Sequence, residues 1–342
     1  MGAPLHDPDF YDEDGNVILC AQDVLFKVHR SRLTRTSIVF KSMFELPLNE
    51  DDDAEGSSDV RPIMLNDEAE EIRALLWALH VLPHEVTALF QEPANEAACL
   101  KFLRLSLVAH KYEVEHMDRW ALDTVFTFLN NIPFNLTRIL IHKLISVALL
   151  CAPDEMSMVE DIIRAALDMG RAELPVVLSA AEALGLSSLA GYAYVRTLTQ
   201  GRWLRDPKLP LQIRTNLLAG YHAFTELWLE ISRAPPTIQR HQCVHLGPCL
   251  WMWGEIWRES ILSPDVHNLQ PADVLGKLRA IKTCGPFLKE RSGTWPEKGG
   301  QLIFVCRSGA VAVLDDRIND IESKLVQYFR LPPDAEGDEP GV

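Results

Sequence analysis

The chain has 342 residues, 47% of them hydrophobic, and its 33 Lys and Arg against 48 Asp and Glu leave a formal charge of -15. That length fits about two or three domains of ordinary size, each with a hydrophobic core. The acidic balance opposes non-specific binding to nucleic acid or anionic lipid, since both need local positive potential, and no apolar run approaches the roughly 20 residues that span a bilayer.

Residues 1–14 are acidic and read as a loose lead-in; no apolar segment follows a basic one there, so a secretory signal is not expected. Two apolar runs at residues 17–20 and 24–28, separated by Ala21, Gln22 and Asp23, predict a hairpin with Phe26 and Val28 on one side of the second strand. Leu33 follows in a polar turn. Ser37 is placed to cap a helix carrying Phe40, Met43 and Phe44 at helical spacing. Residues 45–59, acidic and broken by Pro47 and Gly-Ser-Ser, predict a solvated loop. A short strand at 62–65 then leads to a helix capped by Asn66 or Asp67, with Ile72, Leu75, Leu76 and Leu79 as its apolar stripe. Trp77 lies off that stripe, free to meet a neighbouring helix. A poorly patterned connector runs to Asn95. Beyond it Leu100, Leu103, Leu107 and Val108 face inward on one helix, and Met117, Trp120, Ala121, Val125 and Phe128 continue with helical spacing.

Two clusters of these residues form an ordered pair: Phe26, Val28, His29, Leu33, Ser37, Phe40, Met43 and Phe44, then Leu107 to Tyr112 (with His110 and Lys111) and Met117 to Ala121 (with Trp120). Their identity, order and separation resemble a BTB/POZ domain, specifically the BTB proteins common in mushroom-forming fungi. The resemblance implies an α+β domain over residues 10–130, a small sheet covered by helices, that binds other proteins and has no catalytic role. It also implies possible homodimerisation, or an adaptor role holding a cullin scaffold in a ubiquitin ligase. A structural or regulatory subunit built on the helices that follow is a further alternative. His29 is then part of the fold signature. One departure is Asn16, where many BTB proteins carry an acidic residue, which puts the swapped homodimer in doubt.

Asn130 and Asn131 mark a break, and residues 131–234 read as a helical extension. Its stripes are Leu136, Ile139, Leu140, Leu144, Val147 and Leu150, then Met158, Ile162, Ile163, Ala166 and Leu167. A third run at 174–184 stops at Gly185, and Leu189, Tyr192 and Val195 follow. Leu217, Tyr221, Phe224, Leu227 and Trp228 close the series. Stacked antiparallel helix pairs are expected, without a repeat period.

Residues 235–330 make a third region. His241, Cys243, His245 and Cys249 carry zinc-ligand chemistry, but all four lie within a tight span, and a cysteine-bearing turn leading into a helix is the preferred reading. Trp253 and Trp257 share a helical face with Leu250 and Ile261, so that helix should dock on the preceding ones. Another helix at 274–281 precedes a hairpin of 302–306 and 311–314, and a helix at 318–329 closes the fold; the acidic, Pro-rich tail 331–342 is expected to be disordered. The seven dispersed cysteines suit reduced thiols, and an intracellular protein, cytoplasmic or nuclear, is the expectation. There is no glycine-rich phosphate loop, dinucleotide fingerprint, nucleophile elbow or zincin pair. No enzyme activity, cofactor or metal is expected.

Overall fold

A mixed four-stranded sheet lies at the heart of the first of two units, Met1–Glu173 and Leu174–Val342. The computed structural model describes residues 4–45, 55–114, 116–130, 134–201, 203–238, 246–284, 292–294, 301–303 and 307–330. The strands are β1 (Leu5–Tyr11), β2 (Val17–Ala21), β3 (Val24–Val28) and β4 (Ile63–Met64), in the spatial order β1-β3-β2-β4. β2 and β3 are the expected antiparallel hairpin. Gln22 and Asp23 at its turn have φ of 47° and 62°, the left-handed pair that suits the twist of a two-residue hairpin. Every residue of β2 is buried, because this strand is covered on both faces.

The lead-in contains a strand that the sequence pattern does not predict. β1 runs parallel to β3, and its Asp7 is buried. One Asp7 oxygen accepts from the amides of Asp9 (3.1 Å) and Phe10 (3.0 Å), and the other from Arg73 Nε at 2.6 Å. Ladder bonds and a satisfied buried carboxylate outweigh the poor strand propensity of Asp.

The helices of this unit are α1 (Arg30–Thr36), α2 (Ile38–Glu45), α3 (Ala69–His80), α4 (Pro83–Gln91), α5 (Glu96–Lys111), α6 (Met117–Leu129), α7 (Arg138–Cys151) and α8 (Met156–Asp168). Leu33 therefore sits inside a helix and not in a turn; it is buried, and its carbonyl accepts from Ser37 N at 3.0 Å. The connector after Pro83 is also a helix. Pro83 opens α4, and Glu85 accepts from the amide of Leu82 at 2.8 Å; Val86, Leu89 and Phe90 stand at helical spacing along it, but none of its residues is buried. The cap of α3 is Glu68, whose amide donates to Glu71, not Asn66 or Asp67. On α7, Leu140, Leu144 and Val147 point inward as expected, whereas Ile139 and Leu150 are exposed; Met158 on α8 is exposed too. After α8 the chain returns to pair with the start of α7, Leu136 N donating to Arg171 O at 2.7 Å. The first compact unit, Met1–Glu173, thus includes α7 and α8, with α7 packed on α5.

The second unit contains α9 (Leu174–Ala183), α10 (Ser187–Gln200), α11 (Leu211–Arg233), α12 (Leu246–Ile261), α13 (Pro264–His267), α14 (Val274–Thr283), a two-stranded hairpin β5 (Ser292–Thr294) and β6 (Gln301–Ile303), α15 (Arg307–Ser323) and α16 (Leu325–Phe329). Gly185 stops α9 with φ of 72°. Residues 311–314 are helical, not the second strand of a hairpin: Ala310, Leu314, Ile318 and Ile321 are buried at helical spacing along α15, and a four-residue apolar run is ambiguous between the two periods. Residues 304–306 and the tail 331–342 lie outside the described residues. Trp253 and Trp257 are fully buried, and their indole nitrogens donate to the carbonyls of Pro236 (2.9 Å) and Ser232 (3.4 Å). α12 thereby docks on the end of α11. Leu250 stays partly exposed.

The core of this unit closes around Phe329. Its ring stacks on Tyr194 at 4.5 Å between centroids and meets Phe224 at 5.6 Å. Tyr194, rather than the expected Tyr192 and Val195, is the buried aromatic of α10, and Asn216 donates to its hydroxyl at 2.8 Å. α16 reaches these partners because two helices present glycine to it. A Cβ on Gly191 would come within 2.7 Å of Leu325 Cβ, and one on Gly220 within 2.2 Å of the Phe329 ring. Gly220→Ala should therefore lose about 1–3 kcal/mol through overpacking, overriding the ~1 kcal/mol that alanine gains in a helix. Phe329→Ala should lose about 3–5 kcal/mol. Urea unfolding of the full chain measures both.

Candidate interaction surface

The residues that marked the sequence converge on one buried junction. Ser37 stands between α1 and α2, and its hydroxyl accepts from the Phe40 amide at 3.0 Å, capping α2 as expected. The same hydroxyl donates to the carbonyl of Tyr112 at 2.6 Å. Phe40 stacks on the Tyr112 ring, 4.3 Å apart and 9° from parallel, and also meets Phe44 at 6.0 Å. The Tyr112 hydroxyl donates to Asp67 Oδ2 at 2.6 Å, and Lys111 Nζ donates to Asp67 Oδ1 at 2.6 Å. Burial, with the Asp67 hydrogen bond second, pushes the Tyr112 phenol well up, so it stays a neutral donor. Phe26, Val28 and Leu33 fill the core beside the junction. Trp77, Trp120 and Phe102 join in edge-on contacts at 5.8 and 5.3 Å.

The remaining marker residues lie at its edge. His29 precedes α1 with its ring 3.7 Å from Asp12 and 3.3 Å from Asp14. His110 is exposed, 3.5 Å from Asp118. Asn16 acts locally, its side-chain oxygen accepting from Arg30 N at 2.7 Å and satisfying the first turn of α1.

Two open clefts flank the junction. The first, about 540 Å³, lies between α1–α2 and the α5–α6 turn. Ile38 stands on its wall 67% exposed, with Arg35 and Lys41 on the α1–α2 side and Glu113 and Asp118 on the facing side. The α5–α6 turn holds its shape through positive φ at Glu113 (47°) and His116 (61°), and Val114 bridges to Ser37. The second cleft, about 410 Å³, lies along α5 and α7, with Ile139 59% and Leu150 64% exposed. At its edge Lys143 is held by Glu71 (2.7 Å) and Glu68 (2.9 Å). Sequence reasoning placed Ile139 and Leu150 in the core, because a stripe identifies an apolar face without saying what covers it.

Of the zinc candidates, His241, Cys243 and His245 lie outside the described residues, and Cys249 is buried on α12. Among the described residues no three His, Cys, Asp or Glu side chains converge as a metal ion requires. Among the described residues Cys20, Cys99, Cys151 and Cys284 are free thiols, all but Cys151 buried; burial pushes the Cys99 thiol up to about 12. No helix among the described residues is long and apolar enough to cross a membrane.

No family model matches the chain, and no curated protein does.

Tyr112→Phe leaves the buried Asp67 carboxylate without one of its two side-chain donors and should cost about 1–3 kcal/mol. Ser37→Ala removes a helix cap and should cost about 0.5–2 kcal/mol. Chemical denaturation reads both.

Proposed function

We propose that the first unit is a BTB/POZ-like module that binds another protein and has no catalytic role. The supporting architecture is a small mixed sheet covered by helices, with the two BTB-like marker clusters meeting at Tyr112. The observation that carries the reading is the exposure of Ile38, Ile139 and Leu150 at 67%, 59% and 64% along two open clefts. Aliphatic side chains held in water beside ordered ion pairs gain free energy when a partner covers them, and apolar patches with polar rims mark such surfaces. In the first cleft the mixed charges around Ile38 suit a partner that presents an apolar side chain between charges of both signs. The partner's identity distinguishes the adaptor role beside a cullin scaffold from association with a second copy of this chain.

Affinity purification of the tagged full-length chain from its own cells tests the reading. Ile38→Asp and Ile139→Asp alter exposed positions and should change stability by no more than about 0.5 kcal/mol. At least one should cut recovery of the bound protein by about tenfold or more, the effect of one lost apolar anchor. Equal recovery by wild type and both variants would show that these clefts are not the binding element.

A further inference from the structure

A third cavity of the first unit, about 520 Å³, opens between β1, α3 and α5, and its charges are unevenly matched. Arg73 is committed, donating to Asp7 at 2.6 Å and to Glu70. Arg104 reaches Glu70 only at 3.9 Å, and among the described residues its buried Nε has no hydrogen-bond partner. Lys101 places its ammonium 3.4 Å from the centre of the Trp77 ring, and among the described residues no ion pair holds it. The walls beside these two cations are apolar: Trp77, Phe10 and Leu100. The Lys101 ammonium is partly desolvated with only an indole face to compensate it, and the Arg104 guanidinium meets Glu70 at no closer than 3.9 Å, so a carboxylate between them gains charge-assisted contacts that neither cation now has. The volume falls in the range of small-molecule sites.

We propose that this cavity binds a carboxylate carried on an apolar or aromatic body, the carboxylate between Lys101 and Arg104 and the body against Trp77, Phe10 and Leu100. Such binding is independent of the protein-docking clefts and survives their failure. Other charged groups around the site are Asp9 on β1, Glu70 and Arg73 on α3, and Glu85 on α4. Burial pulls the Lys101 ammonium down to about 8, opposed by the charge of Glu85. Lys101 is therefore charged at neutral pH and loses its proton in mildly alkaline solution. A bound carboxylate favours the charged form, so affinity is full below that value and falls above it.

Calorimetric titration of the full-length chain with 3-phenylpropionate, its amide, inorganic phosphate, and N-acetyl-Gly-Phe as free acid and as amide tests this. The acids should bind saturably at neutral pH, with affinity about tenfold lower at pH 9 than at pH 7 by linkage to a group titrating near 8. Lys101→Met, which keeps the aliphatic stem, should weaken the acids about tenfold or more, as loss of a desolvated ion pair does. Lys101→Arg should still bind and lose the pH dependence, since arginine stays charged. Tighter binding of the peptide acid identifies a peptide carboxy terminus as the source, and tighter binding of 3-phenylpropionate identifies a small carboxylic acid. The proposal is overturned if the amides or phosphate bind as well as the acids. Unchanged affinity in Lys101→Met, or no saturation by either acid up to about 10 mM, tenfold weaker than a millimolar Kd, overturns it equally.

Discussion

Tyr112 is held from three directions, and the first unit is assembled through it. Its ring lies flat on Phe40, its carbonyl accepts from Ser37, and its hydroxyl donates to Asp67. These partners come from α2, from the α1–α2 junction and from the segment between β4 and α3, so one side chain at the end of α5 ties the hairpin half of the unit to its helical half. The polar contacts matter because the alternatives are expensive. Asp67 has a side chain only 3% exposed, and a carboxylate that dry is tolerable only with its donors in place. The junction also bounds the first cleft, since the wall bearing Ile38 begins at Ser37 and the facing turn follows Tyr112.

The second unit uses the opposite device. There the constraint is absence of volume: Gly191 and Gly220 leave room for Leu325 and Phe329, so a five-residue helix reaches the centre of a helical core. Such a short helix has little stability by itself; the Phe329 ring, stacked on Tyr194 and tilted against Phe224, supplies what its hydrogen bonds do not.

Much of this was legible in the sequence, and the limits have physical causes. The hairpin, the Ser37 cap, the strand at β4 and most helices follow from local periodicity and capping chemistry. β1 was hidden because Asp7 and Asp9 break a strand pattern, and only Arg73, sixty-six residues on, explains how Asp7 is buried. α4 was hidden because its apolar stripe, Val86, Leu89 and Phe90, is only one turn long and none of its residues is buried. The start of α3 was legible to within a residue or two, its cap being Glu68 and not Asp67; the place of Asp67 was not, because its partners Lys111 and Tyr112 lie more than forty residues away, a distance that periodicity does not bridge. Tyr192 was preferred to Tyr194 because small residues on the true inner face of α10 make that face look weak. At the clefts the same rule that located the core misplaced Ile139 and Leu150, and the cavity beside Lys101 left no sequence signal beyond Trp77 lying off its stripe.

The Phe40–Tyr112 contact is what couples the two halves of the first unit. A double-mutant cycle with Phe40→Leu and Tyr112→Leu in the full-length chain measures that coupling directly, since the loss of the Asp67 hydrogen bond cancels between the two arms. The structure predicts a coupling of about 0.5–1.5 kcal/mol for a stacked aromatic pair. Costs that add to within about 0.3 kcal/mol would show two residues that act independently, and would contradict the junction on which the unit is built.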